Sequence, residues 1–165
     1  MLETGAMNGV SFVHGRMRVG EAMAPPLIRV VRERSWDQGL IVIDAPPGTS
    51  CPVIAAMKNT DFVLLVTEPT PFGLHDLKLA VEAVKTLNIP MGLVINRSDM
   101  GDDKVNLYAR AEGVPILMEI PFDRQIAESY SRGEIFAQVL PEWRSRFRAL
   151  VGQIETLVEK EEGAK

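Results

Sequence analysis

The chain has 165 residues, 46% hydrophobic and only 6% aromatic, which suits one domain with an aliphatic core. A formal charge of −4 argues against a nucleic-acid-binding domain, which needs a basic face, and no apolar run approaches the ~20 residues of a membrane span. One cysteine, Cys51, excludes an internal disulfide and a cysteine-ligated cluster built from this chain alone.

Met1 to Gly20 carries no apolar signal-peptide core, so a soluble, cytoplasmic chain is expected, with residues 1–165 as a single domain. Gly5, Gly9, Gly15 and Gly20 interrupt the start, leaving Val10–Val13 as a short strand at most, at a sheet edge. Glu21 to Arg34 turns helical: Pro25 and Pro26 fit its first turn, and Arg29, Arg32, Glu33 and Arg34 read as its wet face. Leu40-Ile41-Val42-Ile43 reads as a buried strand of a parallel sheet. It ends abruptly in Asp44-Ala45-Pro46-Pro47-Gly48-Thr49, where two prolines fix φ and Gly48 lets a backbone N–H approach a ligand. Pro52 to Asn59 makes a two-turn helix. Phe62–Val66 is a second buried strand, ending in Thr67-Glu68-Pro69-Thr70-Pro71.

Phe72 to Leu87 has the clearest helical period, with Leu74, Leu77, Val81, Val84 and Leu87 at spacings of three and four. Gly92–Ile95 is a third strand, ending in Asn96-Arg97. A polar loop and a helix over Lys104–Glu112 follow, closed by Gly113. Pro115–Ile120 is a fourth strand, ending in Pro121-Phe122-Asp123. Ile126 to Ser131 is a short helix. After Pro141 a last helix carries the stripe Trp143, Phe147, Leu150, Val151, Ile154, Leu157 and Val158. Glu159 to Lys165 is expected to fray.

Strands alternating with helices imply a parallel sheet, in which every strand ends on the same side. Asp44, Thr67-Glu68, Asn96-Arg97 and Pro121–Asp123 then crowd one edge, the place where open α/β sheets bind ligands. An acid followed by a stiff Gly-containing loop suits a metal–phosphate site. These residues equally allow Asp44 to cap the next turn. Cys51 with His75 lacks an Asn or Asp placed to orient the imidazole, so a packed cysteine is the plainer reading. Two histidines make no metal site, and Arg144, Arg146 and Arg148 face several directions and read as solvated.

The stretch Leu40–Thr49 resembles the Walker B/switch II segment of the MinD/ParA/Mrp/nitrogenase-iron-protein class of P-loop ATPases. Asp44–Val53, read as DAPPGTSCPV, and Val66–Leu77 look like the MinD-superfamily group that carries an inserted ferredoxin domain. Phe12-Val13-His14-Gly15 and Val19-Gly20-Glu21-Ala22 fit the segment after that insertion. The resemblance implies a mostly parallel sheet flanked by helices, a partial P-loop NTPase fold of the SIMIBI type. It implies ATP and Mg²⁺, with Asp44 as the catalytic-site acid holding Mg²⁺ through a water. Pro46, Pro47, Gly48 and Thr49 would form the switch that senses the γ-phosphate. Asn96 would read adenine with Arg97 beside it, and Pro121 and Asp123 would lie in the loop that closes over the base.

The departure lies in the phosphate cradle, which needs a Gly-rich turn followed by Lys-Ser/Thr. No Gly-Lys dipeptide occurs, and Lys58, Lys78, Lys85, Lys104, Lys160 and Lys165 stand in helical or tail contexts. The ferredoxin cysteines are missing too, so no iron–sulfur cluster is expected in this chain. The sequence reads as the C-terminal portion of such an ATPase: a truncated product, a misplaced start, or a half completed by a separate chain. It is expected to bind nucleotide without hydrolysing it alone. Expected partners are a second copy or a P-loop-bearing chain, with no nucleic acid and no membrane. Some members of the class end in a basic membrane helix, whereas Glu155, Glu159, Glu161 and Glu162 give this end the wrong charge. The alternative function is a non-enzymatic interaction module. Redox or metallocluster biology follows by family association alone.

Overall fold

A computed structural model describes residues 2–7, 9–17, 24–34, 39–48 and 50–163. The chain forms two compact units, residues 1–59 and 60–165.

The first unit starts with a hairpin. Strand β1, Leu2–Met7, pairs antiparallel with β2, Val10–Gly15, in a register that sets Gly5 opposite Phe12 and His14 opposite Glu3. The expected lone edge strand is therefore half of its own two-stranded sheet. The glycine interruptions hid its partner, because Gly5 packs beneath the Phe12 ring instead of contributing a side chain. Helix α1, Pro25–Glu33, begins on its two prolines, whose missing N–H groups cost nothing in a first turn. Helix α2, Cys51–Met57, follows Ser50 and buries Val53, Ala56 and Met57. Arg32, read from sequence as solvated, instead donates from Nη1 to the Ala55 carbonyl at 2.9 Å and joins α1 to α2.

The expected strand at Leu40–Asp44 is not a strand. Its residues pair with nothing among the described residues, and Leu40 and Val42 are 68% and 82% exposed. Four apolar residues supply no ladder of their own; extended chain becomes a strand only where a neighbour accepts its N–H and C=O groups.

The second unit is a three-stranded parallel sheet in the order β3-β4-β5, with helices on its faces. Strand β3 is Val63–Thr67 and helix α3 is Pro71–Leu87. The Thr70 hydroxyl caps α3 by accepting from the Gly73 N–H at 3.0 Å, and Pro71 fills the first helical position. Asn88 closes α3 in the left-handed region, φ 54°. Strand β4, Met91–Asn96, is central, and both its faces are buried: Leu93 and Ile95 on one, Val94 on the other. Helix α4 is Lys104–Ala111 and strand β5 is Ile116–Ile120.

Leu77 and Val81 of α3 and Val105 and Ala109 of α4 pack with Leu93 and Ile95 in one apolar cluster. The opposite cluster joins Val94 and Met118 to Trp143 and Leu150 of α7, Pro141–Gly163. Between them in sequence lie α5, Arg124–Ser131, and a short α6, Phe136–Val139, which the sequence reading did not anticipate. Phe136 of α6 meets the Trp143 ring edge-on, with centroids 5.7 Å apart. A register shift of β5 against Leu93/Val94 puts Ile116 in the first cluster and Met118 and Ile120 in the second. Without that bulge the three would share one face.

Two further expectations are corrected here. Helix α7 continues through Glu159, Lys160 and Glu161 to Gly163, since Glu and Lys are good helix formers and no proline intervenes. Arg146 is not merely solvated: its guanidinium lies 4.5 Å from the centroid of the Trp143 ring.

Candidate functional site

Parallel pairing brings the ends of β3, β4 and β5 to one edge of the second unit. Thr67-Glu68, Asn96-Arg97 and Pro121 leave the sheet there. The Asn96 side-chain amide donates from Nδ2 to Glu68 Oε1 at 3.2 Å, across 28 positions of sequence. Arg97 Nε lies 3.7 Å from the same oxygen, a long and half-exposed ion pair that contributes little to stability. Arg97 sits at φ 50°, a left-handed conformation uncommon outside glycine and found in turns and functional corners.

Three loops are tied around this cluster. On the β3 side, the buried Thr67 donates from Oγ1 to the Gly73 carbonyl at 3.0 Å, and Thr70 N donates to the Glu68 carbonyl at 2.8 Å. On the β4 side, Gly101 adopts φ 151°, and a Cβ there would meet the Pro69 carbonyl oxygen at 2.0 Å, so only glycine fits. On the β5 side, Ser98 N donates to the Ile120 carbonyl at 3.0 Å, and Phe122 N donates to Asp99 Oδ1 at 2.6 Å. Asp123 accepts from Gln125 N at 2.7 Å and thereby caps α5.

Of the residues singled out from sequence, Asn96, Arg97, Pro121 and Asp123 therefore lie on this edge of the second unit. Asp44, Pro46, Pro47 and Gly48 belong to the first unit, in an exposed stretch without regular secondary structure that bends at Pro47 and Gly48. Gly48 has φ 94°, with open space where a Cβ would stand. Thr49 lies outside the described residues, as does Val19-Gly20-Glu21-Ala22. Cys51 is exposed at the start of α2 in the first unit, and His75 is exposed on α3 in the second.

Sequence reasoning missed the bond from Asn96 to Glu68 and the part of Asp99. Neither has a local signal, because each contact spans more than twenty positions. Gly101 was legible only as a loop glycine.

At the opposite end of the sheet an open hollow of about 430 Å³ is lined by Phe62, Met91, Pro115 and Leu157, with Lys85 and Glu112 at its rim. The Lys85–Glu112 hydrogen bond, 2.5 Å, raises the ammonium above its usual range. That rim holds an exposed lysine–carboxylate pair, whereas the carboxyl edge gathers a carboxylate, an amide and a guanidinium in Glu68, Asn96 and Arg97. Among the described residues no group of three or more His, Cys, Asp or Glu could hold a metal ion, and no helix is long and apolar enough to cross a membrane.

Residues 20–155 match the family model described as ParA, NUBPL iron-transfer P-loop NTPase. An uncharacterized protein of Methanocaldococcus jannaschii is 34% identical over 131 residues, 78% of this chain and 45% of that protein. The iron-sulfur cluster carrier protein of Aquifex aeolicus is 35% identical over 109 residues, 57% of this chain and 30% of that protein. The chain thus spans less than half the length of each of these relatives. The crystal structure of the Pyrococcus furiosus cell division ATPase MinD superposes with a TM-score of 0.56 at 25% identity, covering 86% of this chain and 57% of that one. The expected fold class, a parallel sheet flanked by helices in the manner of a P-loop ATPase, is borne out.

Proposed function

The chain belongs to the ParA family of P-loop NTPases, of the MinD/ParA class, and we propose that it is the base-side and switch portion of an ATP site. One observation carries the reading: the ends of β3 and β4 bring Glu68, Asn96 and Arg97 into contact on the edge where such sheets bind ligands.

In this reading Asn96 reads adenine, since its amide offers an acceptor and donors in one plane. Arg97 stands beside it, and Pro121 and Asp123 belong to the loop over the base. Because the Asp123 carboxylate is engaged at Gln125 N, its part is to hold that loop in place. Asp44 is an exposed acceptor-only carboxylate, which suits a Mg²⁺ ion reached through water. Gly48, with its positive φ and open flank, can bring its N–H against a γ-phosphate, with Pro46, Pro47 and Thr49 completing the switch. Bound Mg²⁺ would neutralise phosphate charge, which is most of what phosphoryl transfer requires beyond positioning. No Gly-Lys dipeptide is present to cradle the β- and γ-phosphates, so hydrolysis belongs to an assembly in which a P-loop is supplied. The name of the Aquifex relative points to iron–sulfur delivery as the setting.

Titration of Mg·ATP into the chain tests the reading. Asn96→Ala is expected to weaken binding about tenfold, the order of one lost bidentate contact. Turnover by the isolated chain is expected to stay at background and to be unchanged in Asp44→Ala. Strong turnover that depends on Asp44 would refute the need for a P-loop partner.

A second reading rests on the free edge of β3. Among the described residues β3 pairs with β4 alone, and Val66 is 66% exposed. Open edges recruit strands, so the chain would act as an interaction module completed by a second copy or by a P-loop-bearing chain. A clean monomer by light scattering at high concentration would count against it.

A further inference from the structure

We propose that Glu68 is a positioning residue that fixes the orientation of the Asn96 amide and thereby selects a purine with an exocyclic amine over one with a carbonyl at that position. The inference rests on the reading of this edge as a base site.

An Asn amide is a planar group with a donor end and an acceptor end that are nearly the same size, so an unrestrained Asn can turn either end to a ligand. Glu68 removes that freedom. A carboxylate only accepts, so the end of Asn96 that faces Glu68 Oε1 at 3.2 Å is the NH₂ end. Holding one N–H there leaves the second N–H and the carbonyl oxygen for a ligand. That carbonyl takes no hydrogen bond from the described residues. The remaining pair complements adenine, whose N6 amine donates and whose N7 accepts. Hypoxanthine differs by carrying a carbonyl oxygen in place of that amine, which would oppose the Asn96 carbonyl, acceptor against acceptor.

Glu68 is itself held. Its backbone carbonyl accepts from Thr70 N at 2.8 Å, and the preceding Thr67 is anchored to the Gly73 carbonyl at 3.0 Å. Arg97 Nε approaches the same carboxylate oxygen at 3.7 Å. The capped turn between β3 and α3 thus aims a residue of one strand end at the amide of the next.

The experiment compares ATP with inosine triphosphate, which differs from it at that base position, by NMR titration of the full chain. The unaltered chain is expected to prefer ATP about tenfold, the scale of one satisfied against one opposed polar contact. In Glu68→Gln the new amide can donate as well as accept, so Asn96 can turn over. The preference should then fall to within about twofold, through weaker ATP binding and unchanged or tighter inosine triphosphate binding. Loss of affinity for both in parallel, with the ratio kept, would mark a merely structural role and overturn the proposal. Glu68→Ala supplies the second variant: the two side-chain N–H signals of Asn96, distinct and unequally protected in the unaltered chain, should become equivalent in exchange. Retained protection there would also overturn it. If the unaltered chain binds neither nucleotide, the base-site reading falls and base selection with it. The Asn96 signals would still report separately whether Glu68 holds the amide.

Discussion

Leu40–Ile43 and Val63–Val66 are close to interchangeable as strings of letters, and each runs into a polar, proline-stiffened loop. In the structure they part company. Strand β3 is hydrogen-bonded to β4 along its length, but it is not the fully buried strand expected from sequence: Val63 and Thr67 are buried on one face, while Leu64 and Val66 are exposed on the other, where no helix among the described residues covers the edge strand. Leu40–Ile43 has no ladder among the described residues, and all four side chains are exposed. The neighbours make the difference. After β3 the chain returns through α3, whose Leu74, Leu77 and Val81 enter the cluster that Leu65 packs against, and then lays β4 alongside. Helices α1 and α2, on either side of Leu40–Ile43, pack on each other, and Arg32 binds the Ala55 carbonyl. Apolar content signals that a run wants burial; a strand also needs a partner for its backbone.

Mutations can break or sharpen that contrast. The largest effect is expected from Leu93→Ala, which empties a fully buried site in the central strand and should cost about 2–5 kcal/mol in urea unfolding. Gly101→Ala comes next, because it forces a side chain into a positive-φ position against the Pro69 carbonyl; about 1–3 kcal/mol is expected by the same measurement. Val42→Ala should fall within about 0.5 kcal/mol of the unaltered chain, as an exposed substitution does. A cost at Val42 equal to that at Leu93 would erase the distinction between the two runs and place Leu40–Ile43 in a core.

The smallest effect is expected at Glu134. Its carboxyl is held below the usual range by the hydrogen bond from Arg132, on the open surface. A depressed folded value means the contribution is present above the unfolded pKa and is lost as pH falls through the folded one. Glu134→Gln should therefore flatten the acid limb of the stability–pH curve slightly and leave neutral pH almost untouched. A large change at neutral pH would show that the residue serves something beyond this exposed pair.

The legible parts of the molecule were those set by local period. The α3 stripe, the α7 stripe and the apolar runs of β3, β4 and β5 announce themselves, because helix spacing and short apolar runs bounded by turn residues leave a trace in consecutive letters. The hairpin partner Leu2–Met7 did not, since its Gly5 has no side chain to alternate. The shift in β5 did not either, because a bulge is decided by what lies on both faces of the sheet. On the sheet edge of the second unit, Asn96 and Arg97 could be read from a strand end. The hand that Glu68 lays on Asn96 could not, because it depends on the register of β3 against β4.

One such long-range contact has a consequence for how the edge would meet a ligand. Asp99 grips the amide of Phe122, and Ser98 reaches the carbonyl of Ile120, so the turn after β4 and the turn after β5 are laced at two points. They form a stiff collar rather than two flaps. Chain order at the β5 turn is thereby secured when the protein folds, and a molecule settling beside Asn96 need not spend its own contact energy to tighten it. The same lacing couples the two turns: a guest that displaced one would have to move the other with it, and with them the root of α5.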